Sequence, residues 1–96
     1  MRPSEVLHVN RLRIREIALS HHVSNISVFG SVRWNLDDEN SDLDLLVEPT
    51  DQTTLMDIGA IRFELKNLLG FEVDVLTPDG LPLSFREQVL RHAVAI

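Results

Sequence analysis

The chain has 96 residues, is 44% hydrophobic and carries a formal net charge of −6. That is one ordinary globular domain over residues 1–96, and its acidity argues against direct nucleic-acid binding, because phosphate backbones need a basic surface. With no cysteine, thiol catalysis, disulfides and thiolate zinc sites are excluded; with no apolar run near ~20 residues and no signal-peptide pattern, no membrane association is expected, and the default is a soluble cytoplasmic protein.

Ser4 to His21 predicts one helix, with Pro3 at its start and Ile14, Ile17 and Ala18 on a shared face below Leu7. Ile26 to Phe29 predicts a short β-branched and aromatic strand that stops at Gly30-Ser31. A polar stretch from Val32 to Ser41 follows, with room for one helical turn. Asp42 to Glu48 predicts a second strand, apolar enough to be central and closed by Pro49. Thr53 to Leu69 is the clearest helix: Leu55, Ile58, Ile61, Leu65, Leu68 and Leu69 keep the spacing of a buried stripe. Thr54 and Asp57 suit a capping box at its start, and Gly70 suits its end. Phe63 and Met56 fall off the stripe and are expected at the surface. Phe71 to Thr77 alternates as a third strand, Pro78-Asp79-Gly80 predicts a turn, and Ser84 with Glu87 suggests a capping box for a last helix reaching about Ala93. The order predicts an α/β (α+β-like) fold, a small mixed three-stranded sheet flanked by helices.

Three features carry chemistry. Gly30-Ser31 follows a strand directly; glycine lets backbone approach a bulky ligand, free N–H groups at a helix start favour an anion, and the serine hydroxyl adds a hydrogen bond. Taken alone, a plain strand-to-loop turn capped by serine is the simpler reading, because Gly-Ser is a common loop pair. Asp42-x-Asp44 lies in an apolar strand, where alternation turns both carboxylates to one face with Cα atoms roughly 7 Å apart. Two like charges on poor strand formers make sense where a cation compensates them, and Mg²⁺ takes such hard oxygen ligands together with substrate phosphates. The plain alternative is a charged edge-strand face. Asp74 falls on the polar side of the third strand with Glu72 and Leu76; if the two strands are neighbours, it joins Asp42 and Asp44 as a third carboxylate, able to accept a proton, with Glu72 a competitor for that role. The four histidines show no zinc-ligand spacing and are expected at the surface.

The pattern Gly-Ser-x10-Asp-x-Asp, in its strand-turn-loop-strand context, resembles the DNA polymerase β-like nucleotidyltransferase superfamily. More narrowly, the chain is similar to the minimal nucleotidyltransferases encoded beside HEPN-domain proteins. The likeness runs through Val28-Phe29-Gly30-Ser31, Ser41 to Val47, Val73-Asp74-Val75-Leu76 and Val89 to Ala93. The resemblance implies that Gly30, Ser31 and Arg33 bind the triphosphate of ATP, and that Asp42, Asp44 and Asp74 are the catalytic, Mg²⁺-holding carboxylates. It also implies an antitoxin that transfers AMP from ATP to a tyrosine of a cognate HEPN RNase toxin and forms a hetero-oligomer with it. One stretch departs from the family's usual Gly-Ser-x-Ala-Arg-Gly: Trp34 stands where arginine is expected, Asn35 replaces the glycine, and Arg33 lies one residue early. The alternative reading is therefore an antitoxin that neutralises its partner by binding. Trp34, the sole tryptophan, suits base stacking, a partner anchor or a lid over the core.

Overall fold

Asn10 divides the first helical segment. The computed structural model, which describes residues 1–96, has two helices where one was expected, α1 (Pro3–Val9) and α2 (Arg11–Leu19). Asn10 leaves helical geometry at φ −104°, ψ 15°, and its side-chain amide donates to the Val6 carbonyl at 2.9 Å. Asparagine competes for local backbone groups in this way, and apolar spacing does not reveal it. The expected inward residues Ile14, Ile17 and Ala18 are buried.

The chain continues through β1 (Val23–Phe29), the single turn α3 (Gly30–Arg33), β2 (Leu43–Pro49), α4 (Leu55–Leu69), β3 (Val73–Leu76), a 3₁₀ turn at Pro78–Gly80, α5 (Leu83–His92) and β4 (Val94–Ala95). The sheet is mixed, as expected, but has four strands rather than three, in the order β3-β2-β1-β4. The extra strand is two residues long, too short to display a period. It pairs antiparallel with β1, and the Ile96 N–H donates to the Ile26 carbonyl at 3.0 Å. The Arg11 and Arg15 guanidinium groups hold the Ala95 and Ile96 carbonyls at 3.0 Å each. β1 also pairs antiparallel with β2, and β2 pairs parallel with β3.

Strand alternation divides the sheet into two unequal faces. Val28, Leu43, Leu45, Val47, Val73 and Val75 face α2 and α4 in the main core. Phe29 and Leu46 face the other way, into a smaller cluster with Leu81 that Val89 and Ala93 of the α5 segment partly cover. That second face is only partly roofed, which leaves one end of it free for chemistry.

α4 starts and stops as its sequence dictates. Thr54 accepts from the Asp57 N–H at 3.2 Å, Asp57 accepts from the Thr54 N–H at 2.8 Å, and Gly70 closes the helix at φ +82°. Its buried stripe is narrower than expected. Ile61 and Leu65 are buried and Ile58 and Leu69 pack beside them, whereas Leu55, the first residue of the helix, is 90% exposed. Leu68 is also exposed, one residue and about 100° from Leu69. Met56 and Phe63 are exposed, as expected. The Ser84–Glu87 box is not formed: α5 begins two residues earlier, with Pro82 in place of Ser84 at the cap position, so Ser84 lies inside the first turn.

Candidate active site

The antiparallel pairing of β1 with β2 sets Phe29 opposite Asp44, so the turn after β1 lies beside the start of β2. The parallel pairing of β2 with β3 sets Asp44 opposite Asp74. Gly30, Asp44 and Asp74 therefore meet at one end of the sheet, on its thinly covered face. Asp42 lies one residue before β2, exposed, and not within the strand as expected, because pairing begins at Leu43.

Gly30 is required here for two reasons. Its φ of +73° is in the left-handed region that side chains disfavour. A Cβ at this position would also fall inside the contact distance of Asp44 Oδ2 and lie 3.2 Å from its Cγ. The missing side chain is thus the space that the Asp44 carboxylate occupies. α3 then turns the chain away, with Ser31 half-buried at its second position.

The electrostatics of the acidic pair are unfavourable in the protein alone. Burial, then the Asp74 charge and a hydrogen bond with Asp74, and lastly the Asp42 charge push Asp44 up to about 6. Asp74 is exposed at the rim. Glu72, the competing carboxylate, is committed elsewhere: Lys66 Nζ lies 2.6 Å and Arg62 Nη2 3.2 Å from its oxygens, and Lys66 holds it below the usual glutamate range. No group of three His, Cys, Asp or Glu side chains is placed to hold a metal ion, so Asp42, Asp44 and Asp74 do not form the expected three-carboxylate cage. Magnesium seldom needs one; it binds through one or two carboxylates and completes its shell with water and substrate phosphates. A half-buried Asp44 that feels the charges of the exposed Asp74 and Asp42, beside an open glycine turn, fits such an ion.

Beyond Gly30 lies a cavity of about 280 Å³. Arg33 and Trp34 line it from the turn, Phe85, Gln88 and His92 from α5. Arg33 Nε donates to the His92 carbonyl at 2.6 Å, and the guanidinium carbon lies 4.2 Å from the centroid of the Trp34 ring. The His92 ring is 5.4 Å from the Trp34 ring. Trp34 is 51% exposed, so it is not a lid over the core. Asn35 has φ +59°, a left-handed conformation that asparagine tolerates better than most residues after glycine. The contribution of α5 is not evident from motifs. Its signal is the helical spacing of Phe85, Gln88 and His92, which puts them on one face.

Asp37 secures the loop between turn and strand. It is 4% exposed, and its Oδ2 accepts from the Ser4 N–H at 2.8 Å, which caps α1 from a distance. Burial alone would raise Asp37, but the Ser4 hydrogen bonds prevail and hold it below the usual aspartate range.

A nucleotidyltransferase domain model matches residues 12–96. A Methanocaldococcus jannaschii protein named "Putative protein adenylyltransferase" is 36% identical over 92 residues, which cover 94% of this chain and 99% of the relative. Another from the same organism, with the same description, is 28% identical over 78 residues, 81% of this chain and 80% of the relative. A structure described as "Structure of putative minimal nucleotidyltransferase" superposes with a TM-score of 0.86 at 38% identity, over 97% of this chain and 95% of that one. A second, described as "Crystal structure of the toxin-antitoxin with AMP-PNP", gives a TM-score of 0.69 at 20% identity over 83% of this chain and 66% of that one, and shows a shared fold. The chain belongs to the nucleotidyltransferase domain family.

Proposed function

We propose that this chain transfers AMP from ATP to a hydroxyl of a partner protein, a tyrosine of a cognate HEPN RNase toxin, and so acts as its antitoxin in a hetero-oligomer. The observation that carries the reading is the register match of Asp44 with Asp74 beside a glycine whose missing Cβ leaves room for the Asp44 carboxylate. The names of the relatives, protein adenylyltransferases and a toxin–antitoxin complex with AMP-PNP, support the acceptor class.

Asp42 and Asp44 would hold Mg²⁺, which supplies neutralisation of the triphosphate charge. Gly30 and Ser31 offer backbone and hydroxyl donors to phosphate oxygens. Asp74, exposed at the rim, takes the proton of the acceptor hydroxyl. The acceptor oxygen forms its bond to the α-phosphorus while the α–β bridging P–O bond breaks. That electron pair leaves with pyrophosphate.

The test is to incubate the chain with α-labelled ATP, Mg²⁺ and the HEPN partner. Label is expected on the partner, and Asp44→Asn should reduce its appearance by at least 100-fold while the circular dichroism spectrum is unchanged. An unlabelled partner with folded wild-type chain would refute the transfer.

The second reading, neutralisation by binding alone, is favoured by one observation: Arg33 is tethered to the His92 carbonyl and to Trp34, not free beside the acidic pair. Under that reading the Asp42→Asn, Asp44→Asn double variant still silences the toxin. Under the enzymatic reading it does not.

A further inference from the structure

The aromatic cavity takes no part in the chemistry described above, yet it opens beside the same glycine. We infer that it seats the nucleobase of the nucleoside triphosphate, with Trp34 as the stacking surface and Arg33 as the residue that positions it; the inference rests on the nucleotide reading of the acidic site.

Four observations carry it. The first is continuity. Gly30 lines the cavity and also faces the Asp44 carboxylate, so one small molecule with a charged end and a flat end spans both. The second is composition. The chain has only four phenylalanines and one tryptophan, and Phe29, Trp34 and Phe85 of these line this one cavity. Aromatic rings with an arginine beside them form the usual sequence-tolerant platform for a base, because every base presents a π-face.

The third observation is preorganisation. A half-exposed tryptophan in a loop would ordinarily lose rotamer freedom on binding a ligand. Here the Arg33 guanidinium already lies over the indole, and Arg33 is itself fixed by its hydrogen bond to the His92 carbonyl at the end of α5. The ring is therefore held in place before any ligand arrives. The fourth is size and edge chemistry. At about 280 Å³ the cavity lies just under the usual range of ligand pockets, a size suited to a base. Gln88 offers both a donor and an acceptor to a base edge.

Trp34 is the only tryptophan, so its fluorescence reports on this cavity alone. Fluorescence and calorimetric titrations in Mg²⁺ would compare ATP with inorganic tripolyphosphate, which lacks a base. ATP is expected to quench Trp34 and tripolyphosphate to leave it unchanged. Trp34→Ala should weaken ATP binding by about 5- to 100-fold, leave tripolyphosphate binding within about twofold, and be rescued largely by Trp34→Phe. Should Trp34→Ala not fold, Phe85→Ala is expected to show the same selectivity.

The inference is overturned if folded Trp34→Ala binds ATP as wild type does, or if it weakens both ligands equally. Unchanged ATP affinity with slower AMP transfer would assign the cavity to the acceptor side chain instead, and also overturns it. A wild-type chain that binds neither ligand would remove the nucleotide reading itself, whereas ATP binding indifferent to Trp34 removes only the base seat.

Discussion

Burying a carboxylate, and setting it beside a second one, is destabilising until a cation offsets it, and Asp44 shows the sign of that effect. Its ordinary value of 3.8 applies to the unfolded chain, and it is raised to about 6 in the folded one. The folded protein thus holds this proton more tightly than the unfolded chain does. Its contribution to stability is present below about pH 4, falls as the pH rises toward 6, and is absent above that. Metal-free protein is expected to melt at a lower temperature at pH 8 than at pH 5.5. Asp44→Asn should remove most of that difference and raise the pH 8 melting temperature by roughly 4–8 °C, on the order of 1 kcal/mol once solvent screening of a partly exposed group is allowed for. Calorimetric melts of both proteins in EDTA across this range test it; an unchanged pH slope in the variant would remove the electrostatic argument. Gly30 makes the complementary prediction. Gly30→Ala places a methyl group against the Asp44 carboxylate at a φ that alanine disfavours. A loss of about 1–3 kcal/mol is expected in urea melts, accompanied by loss of ATP binding.

Helices and strands differ in how far their own residues announce them. Thr54 with Asp57 and Ser84 with Glu87 present the same capping pattern, yet only the first forms. The difference lies upstream: Thr54 is extended at φ −115°, ψ 168°, whereas Pro82 starts α5 early and carries Ser84 past the cap position. Thr54→Ala is therefore expected to cost about 1 kcal/mol in a denaturant melt, and Ser84→Ala less than about 0.5 kcal/mol. Equal losses would mean that the cap geometry is not what distinguishes the two sites. The same limit explains what was and was not legible. Alternation disclosed that Asp74 and Glu72 share a polar side, and the parallel register then joined Asp74 to Asp44. The separation of Glu72 from that pair depends on Lys66 and Arg62, which no local pattern connects to it. β4 has two residues, and Asn10 breaks a helix whose apolar spacing runs on unbroken, so both escaped periodicity. α5 has no buried residue at all, and its role beside the turn arises only from tertiary packing.

At the scale of the whole molecule, only 20 of 96 residues are buried, and the sheet has a full hydrophobic core on just one face. A domain of this size has limited stability of its own, so a ligand that binds only the folded state should stabilise it visibly. The acidic pair sits at the open end of the thinner face, where the C-terminal end of β1 meets the starts of β2 and β3. Neither ATP nor Mg²⁺ is favoured there singly: free ATP brings negative charge to a chain of net charge −6, and the ion alone lacks the phosphate oxygens that would complete its shell. Together they should raise the melting temperature well beyond the sum of their separate effects. With the complex at about 100 times its Kd, the expected gain is about 2.7 kcal/mol, roughly 10–20 °C for a domain of this length. ATP in EDTA should give little, and Asp44→Asn should abolish the synergy although it melts higher unliganded. A scanning-fluorimetry matrix of ATP, Mg²⁺ and chelator on the two proteins measures this directly. Equal shifts with and without Mg²⁺ would show that nucleotide binds away from the carboxylates.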